Sequence, residues 1–225
     1  MSLQEPSGIF DMLGPIMIGP SSSHTAGVVR IGRVMHGLLE GPPEEVKVTF
    51  YNSFATTFRG HGSDKAVIGG LLGWAPDDPK IREALQEADR LGLRYEFDPV
   101  ISSAKAHPNT LRIQARRGDL QHEIEGISRG GGLISIVSVD GLHTNFTGQL
   151  PTLCVWALDV KGSVAFLSAI LAYDQVNIAT LTVSRRAKED LALQVYELDE
   201  GPRAESLRYI QSLGWVRRAL LLLPV

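Results

Sequence analysis

Cysteine is nearly absent from this chain, which has one, Cys154, among 225 residues. A single thiol excludes an intramolecular disulfide, and it cannot by itself hold a metal–sulfur cluster, because such clusters take several thiolates. Cys154 lies in an apolar, strand-like run from Leu153 to Leu158. We therefore interpret it as a buried structural thiol.

The chain also lacks an excess of one charge and a long apolar run. It has 22 basic against 25 acidic residues and a formal charge of −3, which does not favour binding to nucleic acid or to an anionic membrane. Runs such as Ala219 to Pro224 are too short to cross a bilayer, and the N-terminus has no basic segment followed by an apolar core. We expect a globular cytoplasmic protein whose partners are small molecules and other proteins.

A loop rich in hydroxyl groups precedes the first amphipathic segment. It runs from Gly19 to Gly27 and reads Gly-Pro-Ser-Ser-Ser-His-Thr-Ala-Gly. Gly19-Pro20 indicates a turn, and Ser21, Ser22 and Ser23 are candidate N-caps for a helix that we predict to end near Leu39. Hydroxyls and the His24 imidazole at the start of a helix favour a binding site for a carboxylate or phosphate. The alternative is that one serine caps the helix and His24 is an ordinary surface residue.

A second loop has the same character. Gly60 and Gly62 flank His61, and Ser63 or Asp64 is a candidate cap for the apolar helix that follows. On its own, a Gly-His-Gly sequence indicates a turn more often than a functional site. The glycine run Gly130 to Gly132 is likewise open to two interpretations, a hairpin turn or a backbone nest for a ligand.

The remaining patterns predict an α+β protein of two domains, 1–148 and 152–225, with the boundary at Thr147 to Pro151. In the first domain a helix is predicted over Lys80 to Arg90. The predicted strands there are Val46 to Tyr51, Leu93 to Phe97, Leu111 to Arg116, His122 to Ile127 and Ile134 to Val139.

The second domain predicts the order βαββαβ, which is that of a ferredoxin-like fold with a four-stranded antiparallel sheet. Its predicted strands and helices are Leu153 to Val160, Gly162 to Tyr173, Asn177 to Arg185, Leu191 to Asp199, Pro202 to Leu213 and Val216 to Leu223.

Four segments resemble the beta chain or beta domain of the iron–sulfur-dependent L-serine dehydratases. They are an apolar lead-in with the first loop, Ile9 to Gly27, and the segments Arg59 to Ala66, His107 to Thr110 and Ser128 to Gly132. The resemblance implies deamination of L-serine to pyruvate and ammonia at a four-iron, four-sulfur cluster. An iron of that cluster without a thiolate would act as a Lewis acid on the substrate hydroxyl.

The resemblance also implies roles for particular residues. Ser21, Ser22, Ser23 and Thr25 would hold the substrate carboxylate or an oxygen bound to the cluster. His24 would transfer a proton, His61 is the second candidate for that role, and Lys65 would stabilise negative charge. No metal ligand is assigned to this chain. Relatives with a single chain carry a cysteine-bearing alpha domain that is missing here, so the resemblance implies a partner alpha subunit and an inactive isolated chain.

Residues in the second domain resemble an ACT domain, a module that binds amino acids for regulation. The resemblance rests on Asp159 and Gly162 at the first strand-to-helix turn and on Asn177 and Ile178 before the second strand. It implies an allosteric amino-acid ligand at the interface of a homodimer formed through this domain. The alternative is a domain that serves assembly only.

A different class of function stays open at this point. The beta domain is similar to the allosteric substrate-binding domain of some bacterial D-3-phosphoglycerate dehydrogenases, so a serine-sensing regulatory module without catalysis is the second hypothesis. The cluster of hydroxyls beside His24 favours the enzyme subunit, because a purely regulatory site has less need of a residue that transfers protons.

Overall fold

The structure, a computed structural model, describes Met17, residues 21–101 and residues 107–225. Apart from Met17, the predicted lead-in from Ile9 to Ile18 lies outside the described residues, as does the predicted turn at Gly19-Pro20. The described chain is a mixed α+β fold with two sheets, which confirms the predicted class. None of its described helices is both long and apolar enough to span a membrane.

The helices within the described residues are α1 (Ala26–Leu38), α2 (Ser53–Thr57), α3 (Ser63–Leu71), α4 (Ala84–Leu91), α5 (Ser163–Tyr173) and α6 (Ala204–Ser212), and a 3₁₀ helix (Pro79–Glu83) precedes α4. The strands are β1 (Glu45–Tyr51), β2 (Arg94–Val100), β3 (Thr110–Arg117), β4 (Leu120–Gly130), β5 (Leu133–Val139), β6 (Leu142–Phe146), β7 (Thr152–Leu158), β8 (Ile178–Arg185), β9 (Leu191–Leu198) and β10 (Val216–Leu222).

The first sheet has six strands in the order β2-β1-β3-β4-β5-β6. Strand β1 pairs in parallel with β2 and antiparallel with β3, which continues into β4 as an antiparallel neighbour. The alternation predicted for β1 is present, since Val46, Val48 and Phe50 are buried. Helices α1 and α3 pack together, and α1 also lies against β3 and β4.

Helix α1 buries the apolar residues that the spacing predicts, including Val28, Ile31, Met35 and Leu38. Where α1 crosses α3, each helix has a glycine at the contact, Gly32 in α1 and Gly70 in α3. A Cβ placed on Gly70 would lie 2.1 Å from the Val29 carbonyl oxygen, and one on Gly32 would lie 2.7 Å from the Val67 carbonyl oxygen. The two helices therefore touch through their backbones, which fixes the start of α3 relative to the start of α1.

Chain contacts divide the protein into two compact units, Met1–Ser135 and Ile136–Val225. Strand β6 belongs to the second unit because it packs against β8 and β9. The division between the units falls within β5, and the domains 1–148 and 152–225 stay a prediction. No strand is predicted from sequence at Leu142–Phe146, where the structure has β6.

The second unit contains an antiparallel four-stranded sheet in the order β10-β7-β9-β8. Helices α5 and α6 bury Leu167, Leu171 and Ile210 in one cluster with residues of β7, β9 and β10. Tyr196 is fully buried in that cluster. Because both helices contribute to one cluster, they cover the same face of the sheet.

The predicted elements agree with the structure, apart from a few boundaries. The helix predicted over Lys80 to Arg90 begins as the 3₁₀ helix, in which the Asp78 carboxylate accepts a hydrogen bond from the Lys80 N–H at 2.9 Å. This tighter first segment is common where a proline opens a helix. The short helix α2 is not predicted, because five residues are too few to show a helical period.

Candidate active site

The hydroxyl-rich loop is folded around the imidazole of His24. The hydroxyls of Ser21 and Ser23 lie 3.1 Å and 3.0 Å from His24 Nδ1, and 3.2 Å from each other. The predicted N-cap is wrong, because Thr25 occupies the cap position and no side chain caps α1. Carbonyl groups take that role instead: Ser21 accepts from the Thr25 N–H at 2.9 Å, and Ser22 accepts from the Gly27 N–H at 3.0 Å. The hydroxyls are thereby left to bind the imidazole.

Two rings and one hydroxyl fix the position of His24. Its ring meets Phe54 edge to face with 4.9 Å between ring centroids, and it meets His61 in the same way at 4.6 Å. The Ser63 hydroxyl donates to the His24 carbonyl oxygen at 2.7 Å. The two predicted histidines are therefore neighbours, although they are far apart in sequence.

The environment of His24 favours its neutral form. Burial lowers the pKa of His24, and repulsion by His61 lowers it further. The other ring nitrogen, Nε2, is buried and has no hydrogen-bond partner among the described residues. A neutral imidazole held at one nitrogen and unpartnered at the other is suited to transfer a proton.

The second loop differs in detail from its prediction. Gly62, at a left-handed φ of 72°, occupies the cap position of α3, and neither Ser63 nor Asp64 caps the helix. Ser63 instead binds His24, and Asp64 accepts from the Lys65 N–H at 2.8 Å. Lys65 is exposed at the start of α3. Within the described part of the chain, no contact joins its ammonium group to His24 or His61.

The two other segments that carry the resemblance reach the same region. The Pro108 carbonyl accepts from the Ser53 N–H, and the Asn109 carbonyl accepts from the Ser128 N–H. Ser128 lies against α1, since a Cβ on Gly27 would be 2.1 Å from its Oγ. The chain of contacts links all four segments around the start of α1.

Unpartnered polar atoms are concentrated in this region. Buried side-chain atoms without a hydrogen-bond partner among the described residues include His24 Nε2, Thr25 Oγ1, Arg30 Nε, His61 Nδ1, Thr110 Oγ1 and Ser128 Oγ. Native proteins satisfy nearly all their buried polar atoms, so such a concentration is typical of a site that binds a polar ligand.

Sequence reasoning did not assign Phe54, Ser63, Arg30 or Ser128 to the site. Ser128 begins a segment that carries the family resemblance. That resemblance is the signal from which a role of its hydroxyl in the site could have been predicted. Phe54 and Ser63 follow polar loop residues and give no separate signal. Their contribution depends on contacts between segments distant in sequence.

A depression of about 430 Å³ on strands β1 to β4 is a weaker candidate. Its charged side chains pair with one another: Lys47 with Glu96 at 3.1 Å, and Arg94 with Glu45 at 3.0 Å. A ligand there would have to displace existing ion pairs. The unpartnered atoms around α1 identify the stronger site.

No group of three or more histidine, cysteine or acidic side chains in the described residues is arranged to hold a metal ion. Cys154 is fully buried in β7, and burial raises the pKa of its thiol to about 12. Thiolate is the form that binds metals, so this residue does not fit as a ligand of an iron–sulfur cluster. The prediction of a structural thiol agrees with its position.

The four residues proposed for an allosteric ligand lie at two ends of the second sheet. Asp159 follows β7 and accepts from Arg185, at the end of β8, and Gly162 precedes α5 at a left-handed φ of 81°. The Asn177 amide donates to Asp199 at 2.9 Å, and Ile178 opens β8. The length of β8, about 23 Å, separates the two pairs within one chain.

Comparison with known proteins identifies the family. The model of the serine dehydratase beta chain family matches residues 8–138, which include the whole set of contacts around α1. The chain belongs to the serine dehydratase beta chain family. The match confirms the resemblance seen in the sequence.

Two relatives of this family match nearly over their full length. The chain is 42% identical over 192 residues to the probable L-serine dehydratase beta chain of Bacillus subtilis (strain 168), covering 85% of this chain and 87% of the relative. It is 34% identical to the L-serine dehydratase beta chain of Peptoniphilus asaccharolyticus, covering 88% of this chain and 90% of the relative.

A third relative has a different length. L-serine dehydratase 1 of Escherichia coli (strain K12) is 34% identical over 150 residues, which are 56% of this chain but only 33% of that protein. The names of these relatives describe a lyase and, in the first two, its beta chain. The matched part of the third is therefore a minor portion of a longer polypeptide.

Proposed function

We propose that this chain is the beta subunit of an L-serine dehydratase, which deaminates L-serine to pyruvate and ammonia together with an alpha subunit. The observation that carries the proposal is the arrangement of His24, bound through Nδ1 by Ser21 and Ser23 and unpartnered at Nε2. The family of the chain and the names of its two near full-length relatives support the same reaction.

In this proposal His24 removes the proton from Cα of the substrate. For Nε2 to accept a proton, Nδ1 must carry the ring hydrogen and donate it to a hydroxyl oxygen of Ser21 or Ser23. Both oxygens lie within hydrogen-bond distance, and the lowered pKa keeps the ring neutral near pH 7. In this proposal the serine hydroxyls accept the hydrogen bond from Nδ1, and Nε2 serves as the base.

His61 is the second candidate for proton transfer. It lies against His24, and its Nδ1 is buried without a partner among the described residues. Once His24 has taken up a proton, the two rings give a short route for moving it. Lys65 is proposed only to stabilise negative charge, because its exposed position does not bring it to either ring.

The hydroxyls of Ser21, Ser22, Ser23 and Thr25, at the start of α1, are proposed to bind substrate oxygen atoms. The Thr25 hydroxyl supports this role, since it is buried and has no partner within the described chain. The positive end of the helix dipole favours a carboxylate at this position.

The alpha subunit is proposed to hold the four-iron, four-sulfur cluster. The residues of this chain do not fit the cluster, because the chain has one cysteine and its thiol is buried with a raised pKa. The steps derived above therefore use only this chain's own side chains. The same reasoning gives the expectation that the isolated chain is inactive.

Residues 152–225 are proposed to be an ACT domain that binds a regulatory amino acid. Its element order, β7-α5-β8-β9-α6-β10, and its sheet order support this assignment. Because Asp159 and Gly162 lie a strand's length from Asn177 and Ile178, one copy cannot surround a small amino acid with both pairs. Two copies related by a twofold axis would bring the pair of one chain to the pair of the other, which favours a homodimer.

The test is anaerobic formation of pyruvate from L-serine by this chain alone and with its cysteine-bearing partner after cluster reconstitution. We expect activity only in the mixture, and a loss of at least about a hundredfold in the His24→Ala variant while the complex still forms. Robust activity of the isolated chain would contradict the division between subunits. No activity in the mixture, with saturable binding of serine by this chain, would favour the regulatory module.

A further inference from the structure

One face of α1 is turned toward the segment 128–132, which comprises the end of β4 and the turn into β5. Gly27 and Arg30 are three residues apart and therefore lie on the same face of the helix. Ser128 touches the position of Gly27, with its Oγ 2.1 Å from where a Cβ on that glycine would be. The Arg30 guanidinium reaches the other end of the segment and donates from Nη1 to the Gly132 carbonyl at 2.7 Å.

Both side chains have unused hydrogen-bond donors inside the protein. Ser128 is completely buried, and its hydroxyl has no partner among the described residues. Arg30 Nε is also buried and unpartnered. A guanidinium has five N–H donors, so the bond to Gly132 leaves Nε and other donors of Arg30 available to a ligand.

The positive charge at this face has no carboxylate partner among the described residues. Arg30 and Arg33 are both half-buried, and no ion pair joins either guanidinium to a carboxylate within the described ranges. Burial lowers the pKa of Arg30, and repulsion by Arg33 adds to that effect. Half-buried cations without counter-ions are costly, which favours an anion bound between Arg30 and Ser128.

We infer that Arg30 and Ser128 bind the carboxylate of the amino-acid substrate. The inference rests on the proposed function and extends it, because it moves the main carboxylate contact from the serine loop to this face of α1. An arginine and a hydroxyl give a carboxylate charge-assisted hydrogen bonds, which are stronger than those from neutral hydroxyls alone. Gly27 follows His24 by three residues, so the proposed carboxylate site and the imidazole both belong to the start of α1.

In this arrangement, orientation of the base and binding of the substrate fall to different residues at the start of α1. Ser21 and Ser23 are engaged with His24 and orient it for proton transfer. Arg30 and Ser128 hold the substrate by the group next to Cα, which places the Cα proton toward the ring. Gly27 is required because any larger residue would fill the space that the Ser128 hydroxyl occupies.

The experiment uses the reconstituted complex with Arg30→Gln, Ser128→Ala and, as a control, Arg82→Gln. Arg82 is an exposed arginine of the 3₁₀ helix, and no hydrogen bond or ion pair involves it among the described contacts. We expect the KM for L-serine to rise about ten- to a hundredfold in Arg30→Gln and about three- to tenfold in Ser128→Ala. Arg82→Gln should change the KM by less than about threefold.

Two competitive inhibitors separate carboxylate binding from a loss of shape. The inhibition constant of 3-hydroxypropanoate, which has a carboxylate, should rise in Arg30→Gln as the KM does. That of serinol, which has a hydroxymethyl group instead, should change by less than about threefold. Equal weakening of both inhibitors, or a KM in Arg30→Gln within twofold of the wild-type value, overturns the inference.

The inference and the proposed function can fail separately. If the wild-type complex forms pyruvate but the Arg30 and Ser128 variants keep its KM, only the inference fails. If the wild-type complex forms none, calorimetric titration of this chain with 3-hydroxypropanoate decides the matter. Binding that weakens at least tenfold in Arg30→Gln then supports the carboxylate site, and absence of binding or equal binding refutes it.

Discussion

The pair of hydroxyls at His24 Nδ1 leads to a prediction about redundancy. Ser21 Oγ and Ser23 Oγ lie at nearly equal distances from the nitrogen, 3.1 Å and 3.0 Å. Either oxygen alone can accept a hydrogen bond from the Nδ1–H of the proposed base. Replacing one serine by alanine therefore removes a duplicate contact, whereas replacing both removes both hydroxyl contacts to Nδ1.

The magnitudes follow from the strength of these bonds. A net hydrogen bond is worth about 0.5–1.5 kcal/mol, and about 1.4 kcal/mol corresponds to a tenfold change in rate. We expect Ser21→Ala and Ser23→Ala each to lower kcat/KM about two- to fivefold. The double variant should lower it about thirtyfold or more, which exceeds the product of the single effects.

The assay is the steady-state rate of pyruvate formation by the reconstituted complex. Ser212→Ala is the matched control, because that exposed serine donates only to the Tyr209 carbonyl within its own helix. The reasoning is refuted if one single variant loses as much activity as the double variant. It is also refuted if the double variant stays within about threefold of the wild type.

Three further predictions concern pH, thiol reactivity and helix packing. The pKa of His24 lies below its ordinary value of 6.5, and the neutral ring is the active form in this proposal. The value of kcat/KM should therefore fall on acidification with a midpoint below pH 6.5. A midpoint above pH 6.5 would contradict the assignment. With a thiol pKa of about 12, Cys154 should resist iodoacetamide at pH 8 and react only when the protein unfolds, as mass spectrometry can follow. Gly70→Ala should lower the free energy of unfolding by at least about 2 kcal/mol in urea titrations, because its Cβ would collide with a backbone oxygen at 2.1 Å. Gly60→Ala is the control, since its nearest neighbour would be 3.7 Å away.

Helices and strands could be predicted from the sequence where the apolar periodicity and the turn signals agree. Helix α1 follows a turn signal and has apolar residues at spacings of three and four, and it is found as predicted. Strand β6 was missed because its residues, Leu142–Phe146, alternate over too short a length to distinguish a strand from a loop. Its burial depends on packing against β8 and β9, which local sequence does not record.

The site was predictable in its residue types but not in its contacts. The serine loop and the two histidines are conspicuous in the sequence, and the structure brings His24 and His61 together. The N-cap role expected of the serine hydroxyls is not found, because carbonyl groups accept from N–H groups at the start of the helix. Nothing local to Arg30 or Ser128 indicates that Ser128 lies against the face of α1 that carries Arg30, since that proximity arises from the packing of α1 against β4.

The unpartnered polar atoms around α1 lower the stability of the protein and are available to a ligand. Thr25 allows this to be tested. Its hydroxyl is at the cap position but caps nothing, and it is 1% exposed. A buried hydroxyl without a partner costs about 1–3 kcal/mol, so the nearly isosteric Thr25→Val should raise the free energy of unfolding by about 1 kcal/mol in urea titrations. The same variant should lower kcat/KM for L-serine, because the bound substrate loses its hydrogen bond to the Thr25 hydroxyl. A loss of about 1 kcal/mol instead, as when an N-cap is removed, would show that the hydroxyl serves the helix and not the substrate.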